Sequence, residues 1–434
     1  MKNMEIKPIG ASNRLFYYIW GGENSAFDIR VCFDMEESTD YDLLRESVAK
    51  ALGNFPEFAI RPVIHEGTVW AVSNSNPVPI RPADSAPLCY GTDETAGYPF
   101  VFSSSEQGFS FSYFHGLGDF HGIWRFLRTV LFYYATGKGL DLKADELVRP
   151  ESDSHMNELE QLDPYRKFSE ADKASGSSAP VPAFAIPEKP YPMEETYCAI
   201  YELSCPLNKF LATAKVCKTS VAAFLSLMAS KALRTLYKVN QEPIVTMISA
   251  NMRKYYNTDT VVNFSDATFL RYDEEVAAMP LEAQGAALKE QLHGQMTREH
   301  FAQLIAAKTA MVDGFSRSGA DICQWHKQFA NHPKGPNTIT VPLTYPGSLD
   351  LPGKYQPLIK KISRVMCIRN PGDFGISAET YGDTMYIRSC QRFDSPDIML
   401  EIGKELEKNG ITSAFRELPT YHGNQLIPGK LLKV

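Results

Sequence analysis

The stretch whose reading decides the fold is Ser112-Tyr-Phe-His115-Gly-Leu-Gly-Asp119-Phe-His-Gly-Ile-Trp124. Just upstream, Phe109, Phe111 and Tyr113 put large apolar side chains at alternate positions, the period of a half-buried strand. Downstream, Phe120, Ile123, Trp124, Leu127, Val130, Leu131 and Tyr134 recur at spacings of three and four, so a helix opens after Asp119 with one apolar face. His115 therefore ends a strand and is held by a Gly-containing loop, a position from which an imidazole can act on a ligand.

Working outward, the same periods recur on both sides. Arg14 to Trp20 reads as a buried or amphipathic element and Phe27 to Phe33 as a strand. Leu43, Leu44, Val48 and Leu52 predict a helix capped by Thr39 or Asp40 and stopped at Gly53. A hairpin turns at Gly67 within residues 58–71, and the helix after Asp119 runs to Gly137. Prolines and polar residues then break the pattern through residues 138–195, which read as a crossover linker. A strand at 198–204, helices at 206–214 and 220–237, and a strand at 243–253 follow, the last delivering Ser249, Asn251 and Arg253. Residues 281–312 are predicted helical and 337–343 a strand. A hairpin turning at Gly382-Asp383 and a helix from Ser395 to Lys408 then repeat the layout around His115, with Gln391 or Arg392 where the first half has its histidine. The expected architecture is α/β in layers, with an N-terminal half over 1–145, a crossover over 146–195 and a C-terminal half over 196–434, each half a mixed sheet with packed helices.

Composition narrows the function classes. With 44% apolar and 22% charged residues the 434-residue chain can build a sizeable core. A net charge of −7, without basic clusters interleaved with aromatics, points away from nucleic acid and anionic membrane surfaces. The start lacks the apolar core of a signal peptide, and no apolar run approaches the roughly 18 residues that span a bilayer, so the expectation is a cytoplasmic protein. The eight cysteines form no CxxC pair, and the spacing Cys323-Gln-Trp-His326 stands alone, so neither a disulfide framework nor a metal site is expected.

His115-xxx-Asp119 at a strand-to-helix junction, the buried Ala/Leu helix of the second half, and Ser249-Ala-Asn-Met-Arg253 followed by Val262-Asn-Phe264 together resemble the chloramphenicol-acetyltransferase-like superfamily. That superfamily includes CoA-dependent acyltransferases, alcohol acetyltransferases and the condensation domains of nonribosomal peptide synthetases. The resemblance spans nearly the whole chain and rests on the order of elements more than on any one motif. Relatives often carry His-His-xxx-Asp-Gly; here Phe114 replaces the first histidine and Phe120 the glycine. The Asp373-Phe-Gly375 triplet is similar to a plant-type motif but lacks its following Trp-Gly.

The resemblance implies acyl transfer from a thioester to a hydroxyl or amine, with His115 as general base in a channel between two fused halves. Histidine suits that role because it is largely neutral at cytosolic pH. The resemblance also implies that Asp119 turns away from the substrate to pair with an arginine, Arg253 in preference to Arg14. Asp119 is equally a natural N-cap for the helix after it, and the two roles are compatible. Asn251 and Arg253 then bridge the halves, and His121 is a packing or surface residue. Thr344, Tyr345 and Ser348 are candidate oxyanion donors. The implied partners are acyl-CoA as co-substrate, with no tightly bound cofactor, and a small-molecule acceptor. Two alternatives stand beside this reading. One is a standalone condensation-like domain fed by an acyl or peptidyl carrier protein. The other is a binding protein without catalysis, to which Phe120 points.

Overall fold

The computed structural model describes residues 6–22, 27–145, 147–149, 163–170, 182–187, 193, 196–317, 319, 321–331, 338–367 and 373–434. In chain order the elements are β1 (Ile6–Pro8), α1 (Ala11–Trp20), β2 (Asp28–Met35), α2 (Tyr41–Gly53), β3 (Ile60–His65), β4 (Thr68–Ser73), β5 (Ile80–Pro82), β6 (Phe100–Ser105), β7 (Gly108–Phe114), α3 (Phe120–Gly137) and α4 (Pro164–Phe168). There follow β8 (Tyr197–Pro206), α5 (Leu207–Val216), α6 (Val221–Tyr237), β9 (Ile244–Asn251), α7 (Arg253–Tyr256), β10 (Ser265–Tyr272), α8 (Glu274–Ala278), α9 (Leu281–Gln295), α10 (Arg298–Arg317) and α11 (Ile322–Asn331). The chain closes with β11 (Val341–Thr344), β12 (Ile359–Cys367), β13 (Phe374–Tyr381), β14 (Thr384–Gln391), α12 (Asp397–Lys408), β15 (Ala414–His422) and β16 (Leu432–Lys433).

The strands form three mixed sheets in an α/β layered fold. The first half supplies most of a five-stranded sheet of order β12-β2-β7-β6-β5, and the second half a seven-stranded sheet of order β10-β9-β11-β13-β14-β8-β15. A third sheet, β1-β4-β3-β16, contains the hairpin that turns at Glu66-Gly67, where both residues have positive φ. Two strands cross between the segments: β12 pairs antiparallel with β2, and β16 pairs parallel with β3.

Local chemistry explains the elements around His115. Phe109, Phe111 and Tyr113 of β7 are buried against Leu127, Val130, Leu131 and Tyr134 of α3 in one core cluster. Each such side chain contributes about 1.5–3 kcal/mol by leaving water. Helix α2 starts where the Asp40 carboxylate accepts from the Leu43 amide, satisfying one of its free N–H groups. In the other half α6 is buried along Ala223 to Leu233 between the seven-stranded sheet and neighbouring helices.

Some expected boundaries move. The helical region 281–312 is two helices, interrupted at Met296 and Thr297, where the Met296 backbone leaves helical geometry with ψ 55°. The strand predicted to run to Arg253 ends at Asn251, and Arg253 begins the short helix α7. The strand expected at 337–343 is Val341–Thr344; its first residue lies outside the described residues, as does most of the 146–195 crossover. No single helix among the described residues is long and apolar enough to cross a membrane.

Candidate active site

A cavity of about 300 Å³ lies where the two large sheets face each other. Phe27, His115, Asp119, Phe120, His121 and Trp124 form one wall, and Met247, Ser249, Asn251, Arg253, Ser265 and the segment Pro342–Pro346 the other, with Ser348, Arg364 and Met366. Pro346 and Ser348 are exposed, so the cavity reaches the surface at that rim.

His115 follows β7 directly, and its amide donates to the Phe27 carbonyl at 3.3 Å. Its ring stacks on Phe16 with 4.3 Å between centroids, and Phe27 flanks it at 5.2 Å. Asn263 Nδ2 donates to the His115 carbonyl at 2.8 Å, fixing the backbone beneath the ring. Burial lowers the His115 pKa below its usual value, opposed by its own carbonyl, the Asp119 carboxylate and Asn263. The imidazole is therefore neutral at neutral pH, the state in which it can accept a proton. Its Nδ1 has no hydrogen-bond partner of good geometry among the described residues.

Asp119 is turned away from this ring. Arg253 Nη1 donates to Oδ2 at 2.8 Å and Nη2 to Oδ1 at 2.9 Å, a two-point pair across the two halves. The Phe264 amide donates to Oδ2 at 2.8 Å, and the Gly122 amide to Oδ1 at 3.2 Å, so Asp119 also caps α3. Burial alone would raise its pKa, but Arg253 above all, with the Phe264 amide, outweighs it and holds the carboxyl below the usual range. The remaining donors of Arg253 go to the Thr260 carbonyl (2.7 Å), the Val262 carbonyl (2.8 Å) and Asn251 Oδ1 (3.2 Å). With every acceptor and donor of the pair engaged, neither group is positioned to exchange a proton with a bound molecule.

Arg14, the second candidate partner, is directed elsewhere: Nε and Nη2 donate to the Ile9 carbonyl at 3.1 and 2.8 Å. His121 faces Asp259, with Nε2 3.6 Å from Oδ1. Of the three oxyanion candidates, Ser348 donates its hydroxyl to Asp350 at 2.5 Å. Thr344 instead accepts, from Arg364 Nη2 at 3.3 Å, which leaves its own proton to give. Tyr345 lines the wall between them, its phenol pKa raised by burial.

Phe120 has a role that its residue type did not announce. Its ring stacks on Trp124 at 5.7 Å, and the Arg364 guanidinium carbon sits 4.9 Å above it. The tight approach expected of a glycine at that position is made two residues later: a Cβ on Gly122 would fall 1.8 Å from the Val261 carbonyl oxygen. Arg364, Asn263 and Phe16 are the site neighbours that sequence reasoning did not assign. Among the described residues no cluster of three or more His, Cys, Asp or Glu could hold a metal ion, and all eight cysteines are free thiols.

No protein-family model matches the chain, and no curated protein matches it in sequence. Solved structures do. TRI101 of F. sporotrichioides, complexed with coenzyme A and T-2, aligns over 95% of this chain and 99% of its own with a TM-score of 0.60 at 11% identity. The trichothecene 15-O-acetyltransferase TRI3 from Fusarium sporotrichioides aligns over 93% and 94%, with a TM-score of 0.59 at 11% identity. The condensation domain of the monacolin K polyketide synthase MokA aligns over 94% and 97%, with a TM-score of 0.58 at 11% identity. The fold is shared with these acetyltransferases and with this condensation domain. It is shared along nearly the full length of both chains in each comparison.

Proposed function

We propose that this protein is an acyltransferase that moves an acyl group from a CoA thioester to a hydroxyl or amine, with His115 as general base. The observation that carries this reading is the division of labour at the junction. Asp119 is consumed by Arg253, Gly122 and Phe264, while the His115 ring lines the cavity with a lowered pKa. The acceptor O–H or N–H gives its proton to the imidazole as its heteroatom attacks the thioester carbonyl. The tetrahedral intermediate then expels the thiolate, which takes the proton back from the imidazolium. No covalent enzyme intermediate is needed. Thr344 is the preferred oxyanion donor, because its proton is free while that of Ser348 is held by Asp350.

The cavity at His115 supports catalysis over a binding-only role. A structural neighbour complexed with coenzyme A supports the free thioester as donor, and the MokA condensation domain supports a carrier-borne thioester as the second reading. In either case the active unit is the pairing of residues 1–145 with 196–434, acting in the cytoplasm. The test is His115→Ala assayed against a panel of acyl-CoA donors and alcohol or amine acceptors. Loss of about 10²–10⁴-fold in turnover is expected of a general base; wild-type turnover in the variant rejects the mechanism.

A further inference from the structure

Arg364 is 1% exposed, yet no carboxylate lies within ion-pair distance of its guanidinium among the described residues. It sits on β12 opposite Val31 of β2, with Met366 two residues on, and both side chains line the cavity. One nitrogen, Nη2, donates to Ser377 Oγ at 2.9 Å and Thr344 Oγ1 at 3.3 Å. Nε has no acceptor. The nearest buried carboxylate, Glu379, is engaged by the Arg388 guanidinium and by the Arg364 backbone amide (3.2 Å), while Arg388 also binds Glu202. Arg416 and Lys361 approach the same Glu202, so cations exceed anions in this network. A buried guanidinium whose hydrogen bonds go only to hydroxyls, with the Glu379 carboxylate acting on it from beyond ion-pair distance, is costly to keep. Nη2 is committed to the two hydroxyls, so Nη1, with no acceptor among the described residues, is the cationic donor left for a ligand in the cavity, and a carboxylate is the anion that suits it.

We infer that Arg364, cushioned on Phe120 and anchored by Ser377 and Thr344, is a recognition site for a carboxylate carried by a substrate in the His115 cavity. This deepens the acyl-transfer reading and rests on it for the identity of the carrier: the carboxylate belongs either to the acyl group or to the acceptor. Phe120, placed where relatives carry glycine, then supports an anion-binding arginine rather than marking a lost site.

Calorimetric titration of the full chain separates the two sources. In the acyl arm, malonyl-CoA and succinyl-CoA are compared with acetyl-CoA and butyryl-CoA. In the acceptor arm, 3-hydroxybutyrate and 4-hydroxybenzoate are compared with their methyl esters. The acid is expected to bind about tenfold to a hundredfold more tightly than its neutral counterpart in one arm. That preference disappears in Arg364→Met and is only partly kept in Arg364→Lys, which retains the charge but not the guanidinium. His115→Ala retains it. If no CoA thioester binds while the hydroxy-acid preference persists, the CoA donor fails and the carboxylate site stands. Absence of a preference in both arms, or its persistence in Arg364→Met, overturns the inference. So does an equal fall in kcat for acidic and neutral substrates, which would make Arg364 an oxyanion donor. Should Arg364→Met fail to fold, the acid-against-ester comparison on the wild type and Arg364→Lys decides.

Discussion

Asp119 and Arg253 are 134 residues apart in sequence and meet through two parallel hydrogen bonds of 2.8 and 2.9 Å, both side chains almost completely buried. The pair ties the start of α3 to the turn after β9, so the geometry at His115 depends on both halves. Removing one partner strands a buried charge, whereas removing both does not. Asp119→Ala is therefore expected to lower stability by about 3–5 kcal/mol, the lost cap included. The Asp119→Ala/Arg253→Met double variant should fall short of the sum of the single losses. A double-mutant cycle by urea unfolding measures the difference.

The lowered His115 pKa fixes the sign of two pH effects. The neutral base persists below the usual histidine value of 6.5, so the transfer rate should stay flat through neutral pH and fall only on the acid side of 6.5. In the unfolded chain the same histidine takes up a proton near 6.5, so folding stability falls as pH drops from there toward the depressed folded value. Rate profiles, together with unfolding of the wild type and His115→Ala between neutral and acid pH, test both. The stability slope in that window should be shallower in the variant.

Gly122 and Gly294 are both helical glycines with opposite expectations. A methyl on Gly122 meets the Val261 carbonyl at 1.8 Å, and only backbone movement relieves it, so Gly122→Ala should cost at least about 1–3 kcal/mol. Gly294, near the end of α9, has nothing within 4 Å of such a methyl. Gly294→Ala should gain about 0.5–1 kcal/mol from helix propensity alone. Thermal unfolding of the two variants gives shifts of opposite sign.

Asn263 holds the His115 backbone by its 2.8 Å bond to the carbonyl, and its side chain also helps to hold the ring pKa up against the effect of burial. Asn263→Ala leaves that carbonyl without its donor and should lower kcat with little change in KM. The acid limb of the rate profile should move to lower pH, because the ring keeps its burial and loses a contribution that raises its pKa. A shift of that limb to higher pH or a change confined to KM would remove Asn263 from the positioning of the base.

Much of the layout was legible because periodicity and caps are local signals. The β7 alternation, the α3 stripe, the Asp40 cap and the Gly382 turn all follow from neighbours in sequence. Arg253 came into view only through the order of elements, since nothing local distinguishes it from Arg14. β12 was not read at all. Arg364 occupies the position between Ile362 and Met366 that an apolar residue would fill, so the alternation is broken there by a charge. Its burial makes sense only once β12 pairs with β2, more than 300 residues earlier in the chain. Phe120 was misleading for the same reason: its partner is Arg364, and the close approach expected at its position is supplied by Gly122.

The pairing of β12 with β2 also bears on how this chain acquires its shape. Until Ile359–Cys367 has left the ribosome, β2 presents an open edge with Ile29, Val31 and Phe33 along it, a surface prone to wrong pairing. The first sheet thus closes late, by a contact of very long sequence separation, and its formation should be slow and aggregation-exposed. A fragment ending after the crossover would lack that closing strand. Expressing residues 1–195 alone should yield aggregates, and adding 196–434 in trans should restore solubility to the extent that β12 finds its edge.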